Sequence, residues 1–385
     1  MKKLKKKWKE RVVYIFLIIG GALLNFIYLF HKLFPTKDRI SIVSRQASRP
    51  YEDITMLASE LKKLSPGTDV VVSCRASGGG IWKKTAYLFH VLTRQQHLFA
   101  TSRVVILDGY CVSASMLRHK KSLKIVQMWH AMGAFKKFGL VALDEEEGRN
   151  GMVAKGMRMH KNYDVIFVSS EICKEKMAPA YGCSTDIMEV MPLPRTDVLL
   201  DPQLIAANRK RIYEKYPELK EKKVILYTPT FRKTRKVSVY TESLINAVDF
   251  KTTSLIVNLH PHDAECIEAE SVIIDPDFSS LEMLSVSDYV ITDYSAFIFE
   301  AAVAGKPVFR FVPDHSEYDY SRGFLIDVDK EMPFFWSSSA EDIIRAIDEN
   351  NYDPEEIKKF AEKYVRVGRN NTRRMAEFIL DLAEK

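Results

Sequence analysis

Residues 287–311 read SDYVITDYSAFIFEAAVAGKPVFRF, a strand, a turn, a helix and a second strand in one stretch. Tyr289–Thr292 is a short apolar run of strand type. Asp293-Tyr294-Ser295 forms the turn, with Ser295 placed to cap a helix over Ala296–Ala304. Gly305 ends that helix, and Pro307 opens the next strand, Val308–Val312. A helix that starts just past the carboxyl end of a parallel strand turns backbone N–H groups and its positive dipole end toward the crevice where α/β proteins hold phosphates. Glu300, five residues past the cap, lies too deep to meet phosphate and is placed to accept from a ribose hydroxyl. The plainer reading of the stretch is a capped strand–helix join of any α/β domain.

Outward from it, the same rhythm covers most of the chain. Strand-like runs fall at Arg39–Val43, Val70–Ser73, Val104–Leu107, Ile125–Met128 and Val165–Val168, with helical segments such as Tyr51–Leu64 and Thr85–Ala100 between them. A second series follows at Val224–Tyr227, Leu255–Asn258, Val272–Ile274, Tyr289–Thr292 and Val308–Phe311. Near-continuous apolar strands alternating with helices predict parallel sheets covered on both faces. Between the series, MPLPR at 191–195 breaks local structure with two prolines. The expected organisation is therefore a basic amino-terminal segment with a membrane-associated helix (1–38), a first doubly wound domain (39–195), and a second one (196–385) facing the first across a cleft. Its last helix is expected over Pro354–Glu384.

The 385 residues are 46% apolar and 28% charged, ordinary for globular domains, with a net charge of +7. In residues 1–11, seven basic side chains against Glu10 leave six net positive charges, so the rest is close to neutral. A nucleic-acid binder would carry its charge on the folded domain, and none is expected as a partner. Cys74, Cys111, Cys173, Cys183 and Cys266 show no CxxC spacing, which argues for reduced thiols and against a structural zinc site. Residues 12–30, VVYIFLIIGGALLNFIYLF, are long enough to cross a bilayer and are broken only by Gly20, Gly21 and Asn25. No cleavage site for a secretory signal follows. Lysines precede the run, and Lys32, Lys37 and Arg39 follow it, so charge asymmetry is weak. The favoured arrangement is a helix in the plane of the cytoplasmic membrane surface, the alternative a single span.

Three more strand ends carry polar groups: Trp129-His130, then Tyr227-Thr228-Pro229-Thr230-Phe231-Arg232, then Asn258-Leu259-His260-Pro261-His262. Histidines there suit proton abstraction from a hydroxyl. Arg195, Arg232, His260 and the Ser295 turn are candidates to hold a departing nucleoside diphosphate or phosphate. Gly78–Gly80 is not followed by GK[ST], so no P-loop is present. Asp275-Pro276-Asp277 and Asp327-Val328-Asp329 have DxD spacing but read as surface turns. The expected chemistry needs no metal and no cofactor.

WHAMGAFKKFG at 129–139, MPLPRTD at 191–197, YTPTFR at 227–232, NLHPH at 258–262, SDYVITDYSAFIFE at 287–300, GKPVF at 305–309 and EYDYSRGF at 317–324 together resemble the CDP-glycerol glycerophosphotransferase family of teichoic acid synthesis, over roughly residues 40–380. The resemblance implies the two-domain GT-B fold and His130 as base on the acceptor hydroxyl, beside Trp129 and Ala131. It implies that His260, Arg195, Pro229, Thr230, Arg232, Asn258, Ser295, Ala296 and Glu300 serve a CDP-alditol site in the carboxyl-terminal half. Glycerol phosphate or ribitol phosphate would pass from CDP-glycerol or CDP-ribitol to a polyprenyl-diphosphate-linked acceptor, releasing CMP. The absence of a long extra acceptor-binding domain leans toward one or a few transfers. Ala131 stands where the family usually has Gly, Ala296 where it has a second Ser, Glu300 where it often has Asp, and Asn258-Leu259 where an Arg often precedes His260. These differences leave the donor open, and two other readings stand beside the first: a GT-B glycosyltransferase using a nucleotide sugar, and an inactive scaffold of a wall-polymer complex.

Overall fold

A computed structural model describes residues 2–76, 78, 80–145, 148–230, 238–259, 271–314 and 323–385. The chain divides into two compact units, one of residues 1–195, 321–325 and 370–385, the other of 196–320 and 326–369.

The first unit holds a six-stranded parallel sheet: β1 (Arg39–Ser44), β2 (Asp69–Cys74), β3 (Val104–Leu107), β4 (Lys124–Gln127), β5 (Val165–Val168) and β6 (Met188–Val190), in spatial order 2-1-3-4-5-6. β3 and β5 are buried at every position, which is why they read as unbroken apolar runs. The strand order reverses between β1 and β3, so their carboxyl ends border the place where sheets of this kind bind ligands.

The helices of this unit are α1 (Lys2–His31), α2 (Glu52–Leu64), α3 (Ile81–His90), α4 (Gln96–Thr101), α5 (Val112–Met116), α6 (Gly151–Gly156) and α7 (Glu171–Tyr181). Right-handed crossovers send α2 to one sheet face and α4 and α5 to the other, because β1→β2 and β2→β3 run in opposite directions across the sheet. The helix expected over Thr85–Ala100 is α3 and α4 joined by a π turn, Val91–Gln95. The expected carboxyl-terminal helix is two helices, Pro354–Tyr364 and Asn371–Glu384, separated where Asn370 takes a left-handed φ of 58°. The second of them, expected in the second domain, packs on α2 and β3 of the first unit. Its buried stripe of Met375, Ala376 and Ile379 covers the helix that carries Leu57 and Leu61, both 0% exposed. Full burial of a leucine contributes about 1.5–3 kcal/mol, which is enough to hold a terminal helix against its own unit.

α1 extends the expected apolar run back through the lysines. Its segment Glu10–His31 is long and apolar enough to cross a bilayer. It nevertheless lies along the first unit, packed on α4, α5 and α6. Leu17 fills the space beside Gly156, where a Cβ would come within 2.9 Å of it, and Tyr28 is 1% exposed. Ile15, Phe16, Ile19, Leu23, Phe26 and Phe30 remain exposed, as do Ile81, Trp82 and Phe89 on α3.

The second unit holds another parallel sheet: β7 (Lys223–Thr228), β8 (Thr253–Val257), β9 (Val272–Ile273), β10 (Tyr289–Thr292), β11 (Val308–Phe311) and β12 (Trp336–Ser337), in order 12-11-10-7-8-9. Ile225, Tyr227, Leu255, Val257, Ile291 and Phe309 form the core on one face, closed by the helix Ala340–Asp348. Here the order reverses between β7 and β10, so the loops after Thr228 and Thr292 border the crevice.

Candidate active site

In the first unit the residues past β1, β3 and β4 meet at the reversal point. β4 ends in Gln127, whose amide nitrogen donates to the Gly109 carbonyl (3.0 Å) and whose amide oxygen accepts from the Trp129 N–H (3.1 Å). That bracket holds Trp129 at φ 66°, a left-handed conformation that costs a bulky residue about 1–3 kcal/mol and is kept only where the surroundings enforce it. The turn throws His130 back over the sheet end, with the Trp129 ring 4.4 Å from the imidazole and 4.5 Å from Phe138.

His130 Nδ1 lies 2.7 Å from the Asp108 carbonyl oxygen. A carbonyl only accepts, so Nδ1 carries the proton and Nε2 keeps its lone pair. The Gln46 amide lies 3.2 Å from the same nitrogen. Burial, partly opposed by the Asp108 contact, holds the His130 pKa below the usual 6.5. The side chain is therefore neutral near neutral pH, with a basic nitrogen available. The Asp108 carboxyl, 1% exposed, accepts from the Ser44 hydroxyl and is pushed up by burial.

Arg195, which the resemblance assigns to the donor site, ends the first unit, where a buried carboxylate holds it. Asp53, 0% exposed in the first turn of α2, accepts from the Arg195 N–H (2.8 Å), Nε (2.9 Å) and Nη2. Arg195 Nη2 also donates to the His130 carbonyl at 3.3 Å. Ala131 follows in the same turn, partly buried, and Gly133 N–H donates to Ser169 past β5. The segment after it pairs with part of another motif: the Leu325 N–H donates to the Phe135 carbonyl (2.7 Å), and Phe135 stacks on Phe324 at 5.0 Å.

In the second unit, Asp293 organises the reversal point. Its carboxylate accepts from the Thr230 N–H (3.0 Å), the Thr230 hydroxyl (2.7 Å) and the Tyr294 N–H, which ties the loop after β7 to the turn after β10. Thr292 Oγ1 donates to the Thr228 carbonyl at 2.7 Å across the same two strands. Thr230, expected to contact substrate, thus commits both donors to Asp293. The helix begins at Phe297 and is seven residues long, because Ser295-Ala296 forms a turn with Ala296 already near helical angles. Ser295, expected to cap the helix, lies one residue before the N-cap Ala296, and its Oγ accepts from the Phe297 N–H at 3.2 Å. Pro229, Ser295 and Ala296 are partly exposed around this turn. Glu300, the residue expected to accept from a ribose hydroxyl, is 2% exposed. Asn258 is partly buried, its N–H donating to the Tyr227 carbonyl. His260 and Arg232 lie outside the described residues.

Reading the sequence had not singled out Asp53, Gln46, Asp108 or the carboxylate role of Asp293. Asp108 and Asp293 had one available signal, an acidic residue directly after a buried strand. Among the described residues no three His, Cys, Asp or Glu side chains gather in a way that would hold a metal ion.

Comparison with known proteins gives these arrangements a family. The sequence profile of CDP-glycerol:poly(glycerophosphate) glycerophosphotransferases matches residues 25–381. The chain is 27% identical to the teichoic acid ribitol-phosphate primase of Bacillus spizizenii, over 94% of this chain and 96% of that protein. It is 26% identical to the teichoic acid glycerol-phosphate primase of Bacillus subtilis, over 76% and 77% of the two. The structure of the wall teichoic acid polymerase TagF superposes with a TM-score of 0.72 at 17% identity, covering 98% of this chain and 97% of that one, and gives the fold as GT-B-like. With two parallel α/β units and a profile match along most of its length, this chain belongs to the CDP-glycerol:poly(glycerophosphate) glycerophosphotransferase family.

Proposed function

We propose that the protein transfers glycerol phosphate or ribitol phosphate from its CDP-activated form to a membrane-lipid-linked acceptor in teichoic acid or related wall-polymer synthesis. In this reading the acceptor hydroxyl oxygen attacks the β-phosphorus of the CDP-alditol. The new P–O bond forms as the bond to the CMP phosphate breaks, the hydroxyl proton passes to His130 Nε2, and CMP leaves. The observation that carries the base assignment is the 2.7 Å contact that places the proton of His130 on Nδ1. The Ser295 turn, braced by Asp293 and Thr230, is the candidate seat for the donor's phosphates. The acceptor is carried on a polyprenyl diphosphate and stays in the bilayer, so the protein works at the cytoplasmic membrane surface. α1 lies in that surface with its exposed apolar row in the lipid and its other face on the first unit.

A screen of CDP-glycerol, CDP-ribitol and common nucleotide sugars against a lipid-linked acceptor, read by product mass, tests the reading. Consumption of a CDP-alditol with CMP release is expected. Consumption of a nucleotide sugar alone would favour a glycosyltransferase, and turnover of no donor would favour a scaffold. His130→Gln should lower turnover about 10²–10⁴-fold, the usual contribution of a general base, and leave CDP affinity near that of the wild type. Unchanged turnover would reject the base.

A further inference from the structure

Two of the interruptions of the apolar run in α1, Gly21 and Asn25, are docking residues. Asn25 Nδ2 donates to the Gly21 carbonyl (2.8 Å) and the Met116 carbonyl (2.9 Å), and its Oδ1 accepts from the Arg118 N–H (2.8 Å). The segment after α5 is thereby stapled to the middle of α1. From the other side, Asn162 Nδ2 donates to the carbonyls of Ala114, Ser115 and Leu117. Asn162 ends a turn in which Arg158, at φ 49°, is also left-handed.

Between α1 and these two segments runs a groove of about 500 Å³. Ile18, Phe26 and Leu29 form its apolar wall, and Lys32, Arg118 and Arg158 line it as cations. Lys32 Nζ donates to the Arg118 carbonyl at 3.1 Å. Elsewhere in the unit arginines face aspartates: Arg39 with Asp69, Arg103 with Asp38, Arg195 with Asp53. Among the described residues no carboxylate comes within 4.0 Å of the charged ends of Lys32, Arg118 or Arg158. Burial, with Lys32 and Arg158 adding, holds the neighbouring His119 down to about 4, so that ring is neutral. Three cations without a counter-charge beside an exposed apolar helix are complementary to one kind of partner, an anionic head on a hydrocarbon tail.

We propose that this groove seats the phosphate of an anionic membrane lipid. The guanidinium forks of Arg118 and Arg158 donate to the phosphate oxygens, Lys32 adds charge, and the lipid chains run along Ile18, Phe26 and Leu29. The proposal rests on the in-plane placement of α1 and is independent of the transfer chemistry.

The test is co-sedimentation of the full chain with phosphatidylcholine vesicles and with mixed phosphatidylcholine–phosphatidylglycerol vesicles. The wild type should prefer the mixed vesicles. Arg118→Gln/Arg158→Gln, two exposed positions, should lose roughly thirtyfold in affinity for them and bind phosphatidylcholine as the wild type does. Lys62→Gln/Lys63→Gln removes the same charge from α2 on the opposite sheet face and should keep the preference. An equal loss in both variants means diffuse attraction and overturns the site, as does an unchanged Arg118→Gln/Arg158→Gln. Release of the wild type by excess soluble glycerol phosphate makes the ligand free phosphate and overturns the lipid assignment. Wild-type binding to neither vesicle overturns the in-plane placement itself, whereas equal binding to both overturns only the phosphate seat. A failed donor screen leaves all these outcomes readable.

Discussion

Replacing Asp53 by Asn tests the pair that joins the end of the first unit's sheet to α2. The wild-type carboxylate is 0% exposed and accepts three N–H groups of Arg195, one from the backbone and two from the guanidinium. Asparagine keeps the shape but offers one oxygen. Its NH2 must face either the Arg195 N–H or the guanidinium, donor against donor, while the Arg195 side chain, 17% exposed, keeps its charge. Removing one partner of a buried ion pair costs about 3–5 kcal/mol, against about 5–15 kcal/mol for the stability of a whole domain. Trp8, Trp82 and Trp129 belong to the first unit and Trp336 to the second. Urea unfolding followed by tryptophan fluorescence in a Trp336→Phe background therefore reports on the first unit. The unfolding free energy of Asp53→Asn should fall by that amount, and Asp53→Leu/Arg195→Met should recover most of it because no charge is left unpaired. A loss under about 1 kcal/mol, or a double variant no better than the single, would refute the argument.

Turnover should rise with pH through a single limb that lies below 6.5 and be flat by neutrality, because His130 must be neutral to take a proton and burial lowers its pKa; a limb above 6.5 in the pH profile contradicts this. Gly156→Leu should destabilise the first unit by about 1–3 kcal/mol, measured by the same unfolding, since even a Cβ there comes within 2.9 Å of Leu17 Cδ1 and 3.0 Å of Leu17 Cβ on α1. With α1 standing free across a bilayer, α6 would tolerate that leucine. Arg310 is 0% exposed on β11, with Nε and Nη2 unpaired among the described residues and Nη1 on the Val328 carbonyl. Arg310→Met should leave stability equal or raised, as replacement of an under-satisfied buried cation by an apolar side chain does. A loss above about 2 kcal/mol would show that its charge is compensated.

The parts that were legible in the sequence are those written in contiguous residues. Val104–Leu107, Val165–Val168 and Tyr289–Thr292 are parallel strands in the sheet interiors, and each reads as a short apolar run bounded by turn residues, while Val308–Phe311 reads as a strand despite Arg310. Met188–Val190 and Trp336–Ser337 escaped notice because edge strands of three and two residues carry no period. His130 was visible from its place after a strand. Its working form was not, since the proton is positioned by a carbonyl 22 residues earlier. Asp53 and Arg195 are 142 residues apart, and nothing in either neighbourhood announces the other. The break before Asn371 was within reach, because Gly368 and a left-handed Asn370 are the ordinary signs of a helix boundary.

The helix Asn371–Glu384 completes the core of a unit whose other elements are nearly all made by residue 195. During synthesis about 175 residues separate the two, which at ribosomal speeds is roughly 10 to 35 seconds. For that interval the flank of α2 awaiting this helix stays open to solvent and to other nascent chains. The amino-terminal half should therefore mature only after the helix Asn371–Glu384 has been made and has emerged. Premature termination anywhere in the second half would leave a sticky, unfinished product for cellular quality control, even though every strand of its sheet had been made.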